Sequence, residues 1–247
     1  MFEIIKNKFS LDFDYDGIKI IQTKYPTKTY RDLMLNSNIQ INGKSIKSDD
    51  VIYISELNKL SDFLNLSKKS KLMKEIIDLL DTYPIINHDN IRSIKESINK
   101  KYSEELLEDT CGDISKVINL FLEFINDNYL DSRLFEIFLN MFDESKLVIL
   151  DNVSWINVDM LSKFLNEHNF IILTHDFRNY IKSIDMLELL LILKDNYDFT
   201  DIKDSKNFMF YLEKQLNIEI NKEKLEELLR DKNSLDSIRF LSETLKI

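Results

Sequence analysis

Apolar residues change their period along this chain, and each change marks a new kind of element. Residues 2–6 and 11–15 cluster β-formers, and Ile18-Lys19-Ile20-Ile21 resumes a strand after the turn signal Asp16-Gly17. Residues 39–41 and 44–46 flank Asn42-Gly43. That dipeptide suits a two-residue hairpin, because both turn positions favour positive φ. Residues 51–55 read as a buried strand. From residue 67 the period becomes helical. Ser67 can cap a helix through Leu72, Ile76, Leu79 and Leu80 that Pro84 stops, and Ile91, Ile94 and Ile98 continue the spacing. Asp113 can cap a helix with Ile114, Val117, Ile118, Phe121, Leu122 and Ile125 on one face. Asp131 can cap another with Leu134, Phe135, Phe138 and Leu139 inward.

Residues 146–151 then form a short apolar strand ending in an acid, residues 157–168 an amphipathic helix, and residues 170–174 a second apolar strand. Strand–helix–strand of this length predicts a right-handed crossover and a parallel pair, whose strands are continuously apolar because both faces are buried. The tail from about residue 185 reads as mostly helical, with Asn221 opening a helix whose stripe is Leu225, Leu228 and Leu229. The expected fold class is α/β.

Composition and charge narrow this picture. The net charge is −10, which taken alone argues against a nucleic-acid binder. With 33 Lys and Arg, a basic patch can still coexist with an acidic remainder. A single cysteine, Cys111, cannot form an internal disulfide. The longest apolar run, residues 186–193, contains Glu188 and ends at Lys194, too short and too charged to span a bilayer. With no signal segment apparent, a cytoplasmic protein is expected.

Several residues invite chemistry. Asp151 ends an apolar strand, the place where nucleotide-hydrolysing α/β proteins hold magnesium. His175 follows the next strand, where ABC-type ATPases place a γ-phosphate-sensing histidine. Acids and histidines are also ordinary at strand ends. Gly43-Lys44-Ser45 looks like the end of a phosphate-binding loop, but Asn38 stands where the earlier glycine belongs and a strand follows instead of a helix. A hairpin is the expected outcome, and a working ATPase is not. Glu104, Glu105, Glu108, Asp109 and Asp113 form an acidic cluster around Gly112. Such oxygen-rich clusters can hold calcium, although spacing alone favours a solvated helix end. Lys68, Lys69, Lys71 and Lys74, and then Lys95, Lys100 and Lys101, can track a phosphate backbone or simply solvate helix faces. Cys111 in its acidic stretch is expected to be inert, Trp155 to be core or interface, and His88 and His168 to lack metal partners.

Three stretches in succession resemble the Csn-two family, the CRISPR-associated proteins of subtype II-A. The first runs from Val51-Ile-Tyr-Ile-Ser through Asn65 and Ser67-Lys68-Lys69 to Leu80. The second is the acidic run from Glu104 to Asp113 flowing into Ile114-Ser-Lys-Val-Ile-Asn-Leu-Phe. The third is Lys146-Leu-Val-Ile-Leu-Asp-Asn-Val-Ser-Trp-Ile through Leu161, then Phe170-Ile-Ile-Leu. Their order and spacing match over roughly residues 1–200.

The resemblance implies an α/β head with a mixed sheet like a degenerate ABC-type ATPase (residues 1–55 and 143–200) and a helical leg (56–142); the tail (201–247) departs from the shorter family pattern and is expected to add C-terminal helices. It implies no ATP hydrolysis, so Asp151 and His175 would be vestigial positions of a nucleotide site. It further implies a homotetrameric ring whose lysine-rich inner surface encircles double-stranded DNA ends during spacer acquisition. Calcium on Glu104, Glu105, Glu108, Asp109 and Asp113 would hold the ring. The partners would be the integrase pair and effector nuclease of the locus, with no membrane. Two rivals come from other classes: a DNA-stimulated ABC-type NTPase using Asp151 and His175, and a DNA-free helical scaffold.

Overall fold

The computed structural model describes residues 17–36, 40–41, 44–63, 71–82, 88–102, 129–142, 144–193, 199–235, 237, 239 and 242. In chain order these form strand β1 (Ile18–Gln22), helix α1 (Pro26–Asn36), β2 (Gln40–Ile41), β3 (Lys44–Ser45) and β4 (Val51–Ser55). Three helices follow, α2 (Leu60–Phe63), α3 (Lys71–Thr82) and α4 (His88–Tyr102). Then come α5 (Ser132–Leu139), β5 (Leu147–Asp151), α6 (Val158–Ser162), β6 (Asn169–Thr174), β7 (Leu190–Leu193) and β8 (Phe199–Asp201). Helices α7 (Ser205–Leu216) and α8 (Lys222–Arg230) complete the described elements. The chain divides into two compact units, Met1–Asn58 with Leu130–Ile247, and Lys59–Tyr129.

The first unit is an α/β head around a six-stranded mixed sheet in the order β4-β5-β6-β1-β7-β8. Every pairing from β4 to β7 is parallel, and β8 closes the edge antiparallel to β7. The β5–β6 pair runs parallel in register Ile149↔Ile171, as the strand–helix–strand pattern requires. Both faces of the central strands are covered. Ile21, Leu147, Ile149, Ile171, Leu173, Leu191 and Leu193 point to one side and pack with Leu33 of α1. The alternate residues Ile20, Val148, Leu150, Phe170, Ile172 and Ile192 are equally buried. Burying each such side chain contributes about 2 kcal/mol, so the head carries its own core.

Local chemistry fixes the element ends. Asp131 caps α5 by accepting from Leu134 N, and Phe135, Phe138 and Leu139 face inward as their spacing predicts. Asn221 caps α8 through Lys224 N over the buried stripe Leu225, Leu228 and Leu229. Gly17 enters β1 at φ +67°, and a Cβ there would meet Leu165 Cδ2 at 3.0 Å. Only glycine accommodates both constraints.

Three sequence expectations change. The crossover helix expected over 157–168 is α6, Val158–Ser162, capped by Asn157 and followed by turns to residue 167. The tail expected to be helical from residue 185 instead gives a 3₁₀ turn, Ile184–Leu189, and then β7 inside the sheet. A continuous apolar run such as Leu189-Leu190-Leu191-Ile192-Leu193 fits a strand buried on both faces as well as a helix, and the open place beside β1 decides for the strand. In α3, Leu79 is 60 % exposed while Met73 is buried, so the inward face is rotated from the expected stripe. The expected strands at 2–6 and 11–15, and the helix from Asp113, lie outside the described residues.

Among the described residues no helix is long and apolar enough to cross a membrane. Described residues after β8 pack on the head. Ile202 N donates to Leu190 O at 3.0 Å, and Phe208 of α7 meets Phe177 edge-on at 5.6 Å.

Candidate functional site at the carboxyl edge of the parallel strands

Five parallel strands deliver their carboxyl ends to one edge of the sheet, where open α/β sheets bind ligands. The edge collects Thr23 after β1, Ser55 and Glu56 at the end of β4, Asp151 and Asn152 at β5, and Thr174 and His175 at β6. The two strand-end positions anticipated from sequence, Asp151 and His175, therefore sit on neighbouring strands, with Asp151 in register with Leu173. Their environments differ. Asp151 is 8 % exposed, whereas His175 is exposed to solvent.

Asp151 is held by hydroxyls of the protein itself. Its Oδ2 accepts from Thr27 Oγ1 at 2.7 Å and from the phenol of Tyr53 on β4. Tyr53 in turn stacks on Tyr30 of α1, ring centroids 4.0 Å apart. Burial, and then the hydrogen bond to Asp151, push the Tyr53 phenol up to about 12, so it stays a donor at neutral pH. Next to Asp151, Asn152 adopts φ 52° and its Oδ1 accepts from Thr174 Oγ1 at 3.4 Å. An amide there supplies no general base for activating water. Glu56 Oε1 accepts from Ser154 N at 2.7 Å, which lowers the Glu56 carboxyl below its usual range and ties the loop after β4 to the loop after β5.

A second stretch to compare with the phosphate-loop pattern is the β1–α1 junction, which reading the sequence by its glycines passes over. The pattern glycine, four residues, glycine, lysine, serine or threonine sits between a strand and a helix. Aligning its last two positions with Lys28-Thr29 puts Gln22 and Thr27 where glycines would be. The signal was present: Lys-Thr opening a helix directly after an apolar strand. The junction has no glycine to let backbone N–H groups converge, and Pro26 has no N–H at all. Thr29 Oγ1, at the magnesium-binding position of the pattern, is buried against Thr23 Oγ1 at 2.9 Å. Gly43-Lys44-Ser45, by contrast, belongs to an antiparallel pair, Gln40↔Ser45 and Ile41↔Lys44, with residues 42 and 43 outside the described set.

The other anticipated positions distribute as follows. Glu104, Glu105, Glu108, Asp109, Asp113 and Cys111 lie outside the described residues, as do Lys68 and Lys69. Among the described residues no group of three or more His, Cys, Asp or Glu could hold a metal ion. Lys71 opens α3 and Lys74 is exposed on it. Lys95 is half-buried on α4, and Lys100 and Lys101 are exposed in its last turn. All these lysines belong to the second unit, Lys59–Tyr129. His168 is a satisfied core histidine: Nδ1 accepts from Lys146 N at 3.2 Å and Nε2 lies 3.2 Å from Leu139 O. Trp155 meets Phe135 edge-on at 5.5 Å.

No family model matches the sequence, and no curated protein matches it significantly. The fold is shared with the crystal structure of Stu0660 of Streptococcus thermophilus, at a TM-score of 0.54 and 15 % identity. The match covers 93 % of this chain and 87 % of that one.

Proposed function

We propose that this chain is a non-catalytic, Csn-two-like protein that binds double-stranded DNA ends as a homotetrameric ring during CRISPR spacer acquisition. The observation that carries the reading is the β1–α1 junction: a sheet with ATPase-like strand ends whose acid, Asp151, is engaged by Thr27 and Tyr53 beside a glycine-free loop. Such a head is a scaffold for binding and not a nucleotide-hydrolysing site. The succession of the three family-like stretches and the shared fold with Stu0660 support the assignment. DNA contact would run through the backbone from Lys68, Lys69, Lys71, Lys74, Lys95, Lys100 and Lys101, and would carry no base readout. Calcium on Glu104, Glu105, Glu108, Asp109 and Asp113 would offset the acidic charge and hold the ring. The integrase pair and effector nuclease would be its working partners.

Sedimentation with calcium and with a chelator tests the assembly. The reading expects four copies with calcium and smaller species without it; a monomer under both conditions contradicts it. Phosphate release from ATP, with and without DNA, should stay at buffer background. DNA-stimulated release abolished by Asp151→Asn would establish the NTPase instead.

A further inference from the structure

Beyond His175 the chain makes a 3₁₀ turn, Phe177–Asn179, that anchors two ammonium groups side by side. Lys182 Nζ donates to the carbonyl of Arg178 at 3.0 Å, and Lys232 Nζ donates to Asn179 Oδ1 at 2.6 Å. Lys182 comes from the loop leading toward β7 and Lys232 from the segment after α8, so stretches distant in sequence bring their charges to adjacent residues of one turn. Neither lysine has a carboxylate partner among the described residues.

Neither Asp176 nor Asp231 forms an ion pair with either lysine. Asp176 is committed to Arg178, whose Nε and Nη2 reach its two carboxylate oxygens at 2.8 and 2.9 Å. Arg178 itself is 1 % exposed and spends Nη1 on Leu228 O, so its guanidinium faces the interior. Asp231 Oδ1 accepts from Asn233 N. Burial, and then the charge of Lys232, hold the Lys182 ammonium below the usual lysine range, with Asp176 opposing. Two cations fixed by neutral carbonyl oxygens, not by carboxylates, leave a positive field that an anion would relieve.

We infer that Lys182 and Lys232 form a phosphate-contact site on the head, at the strand edge that carries His175, and that its occupant is the backbone of duplex DNA. The inference rests on the DNA-binding reading above and places a contact on the head and tail in addition to the lysines of the second unit. The neutral anchors fit this occupant. A phosphodiester carries one charge and two free oxygens, which two separately anchored ammonium groups can share without base readout.

The test is the binding of a short linear duplex across a salt series by the full-length protein, as wild type and as Lys182→Gln/Lys232→Gln. The double variant should keep the wild-type unfolding midpoint and bind about tenfold more weakly on every sequence. Its slope of log affinity against log salt should be shallower by about 2. Lys182→Arg/Lys232→Arg should restore most of the slope. A wild type that binds duplex beside a double variant of unchanged slope overturns the site but leaves the DNA-binding function standing. A wild type that binds no duplex overturns both. Loss of inorganic pyrophosphate binding in the double variant, with the duplex slope unchanged, would make the occupant a free anion and overturn duplex DNA.

Discussion

The β1–α1 junction and the turn after β6 share one edge of one sheet, yet they have opposite characters. At the junction the strand-end acid and the hydroxyls pair within the protein: Asp151 with Thr27 and Tyr53, Thr29 with Thr23. At the turn, partly exposed Asp176 pairs with the buried Arg178, while Lys182 and Lys232 are held outward by a carbonyl and an amide. The difference teaches that one edge of a parallel sheet can hold both a closed hydrogen-bonded cluster and an outward pair of ammonium groups. Hydroxyl side chains engage the strand-end acid, and the two ammonium groups lie elsewhere on the same edge.

The largest effect should come from the closed inner side of the turn. Asp176→Ala leaves the guanidinium of Arg178 buried without its bidentate partner and should cost about 3 kcal/mol in urea unfolding. An unchanged midpoint would mean that the turn is not held as described. Next is the junction: Tyr53→Phe removes one donor to a carboxylate and should cost about 1 kcal/mol, with DNA binding unaltered. If Tyr53→Phe instead exposes ATP-dependent chemistry, the junction is a blocked site and not a dismantled one.

The same residue gives a pH test. The Tyr53 phenol is raised in the folded state from 10.0 to about 12, so its protonated form is favoured by folding. That contribution is fully present below about pH 10 and is lost as pH rises through about 12. The stability difference between wild type and Tyr53→Phe should therefore shrink across this window in urea titrations; a constant difference would show that the phenol is not held by Asp151. The smallest effect belongs to His175, which is exposed. His175→Ala should stay within about 0.5 kcal/mol of wild type and leave ATP consumption at background.

Much of the head was readable from periodicity. Strands β5 and β6 are uninterrupted apolar runs, and Asp131 and Asn221 stand where their helices begin. The caps were legible because an N-cap is a local interaction, between a side-chain oxygen and an N–H three residues on. Strand β7 was not legible, because an unbroken apolar run has no period and only its place beside β1 decides its form. The site was half legible. Asp151 declared itself as the acid ending a strand, but Thr27 and Tyr53 are 124 and 98 residues away in sequence and meet it only through the sheet order. The β1–α1 junction was overlooked because it has no glycine, and only Lys28-Thr29 matches the end of the phosphate-loop pattern. Lys182 and Lys232 stand alone in sequence and become a pair only through the turn that anchors both.

The central claim, a ring that grips duplex ends, is tested most directly by a gel shift with linear and covalently closed circular duplexes of equal sequence, with and without calcium. The account predicts that linear DNA alone is bound, more tightly with calcium. Equal binding of closed circles, or no binding of either form, would contradict it.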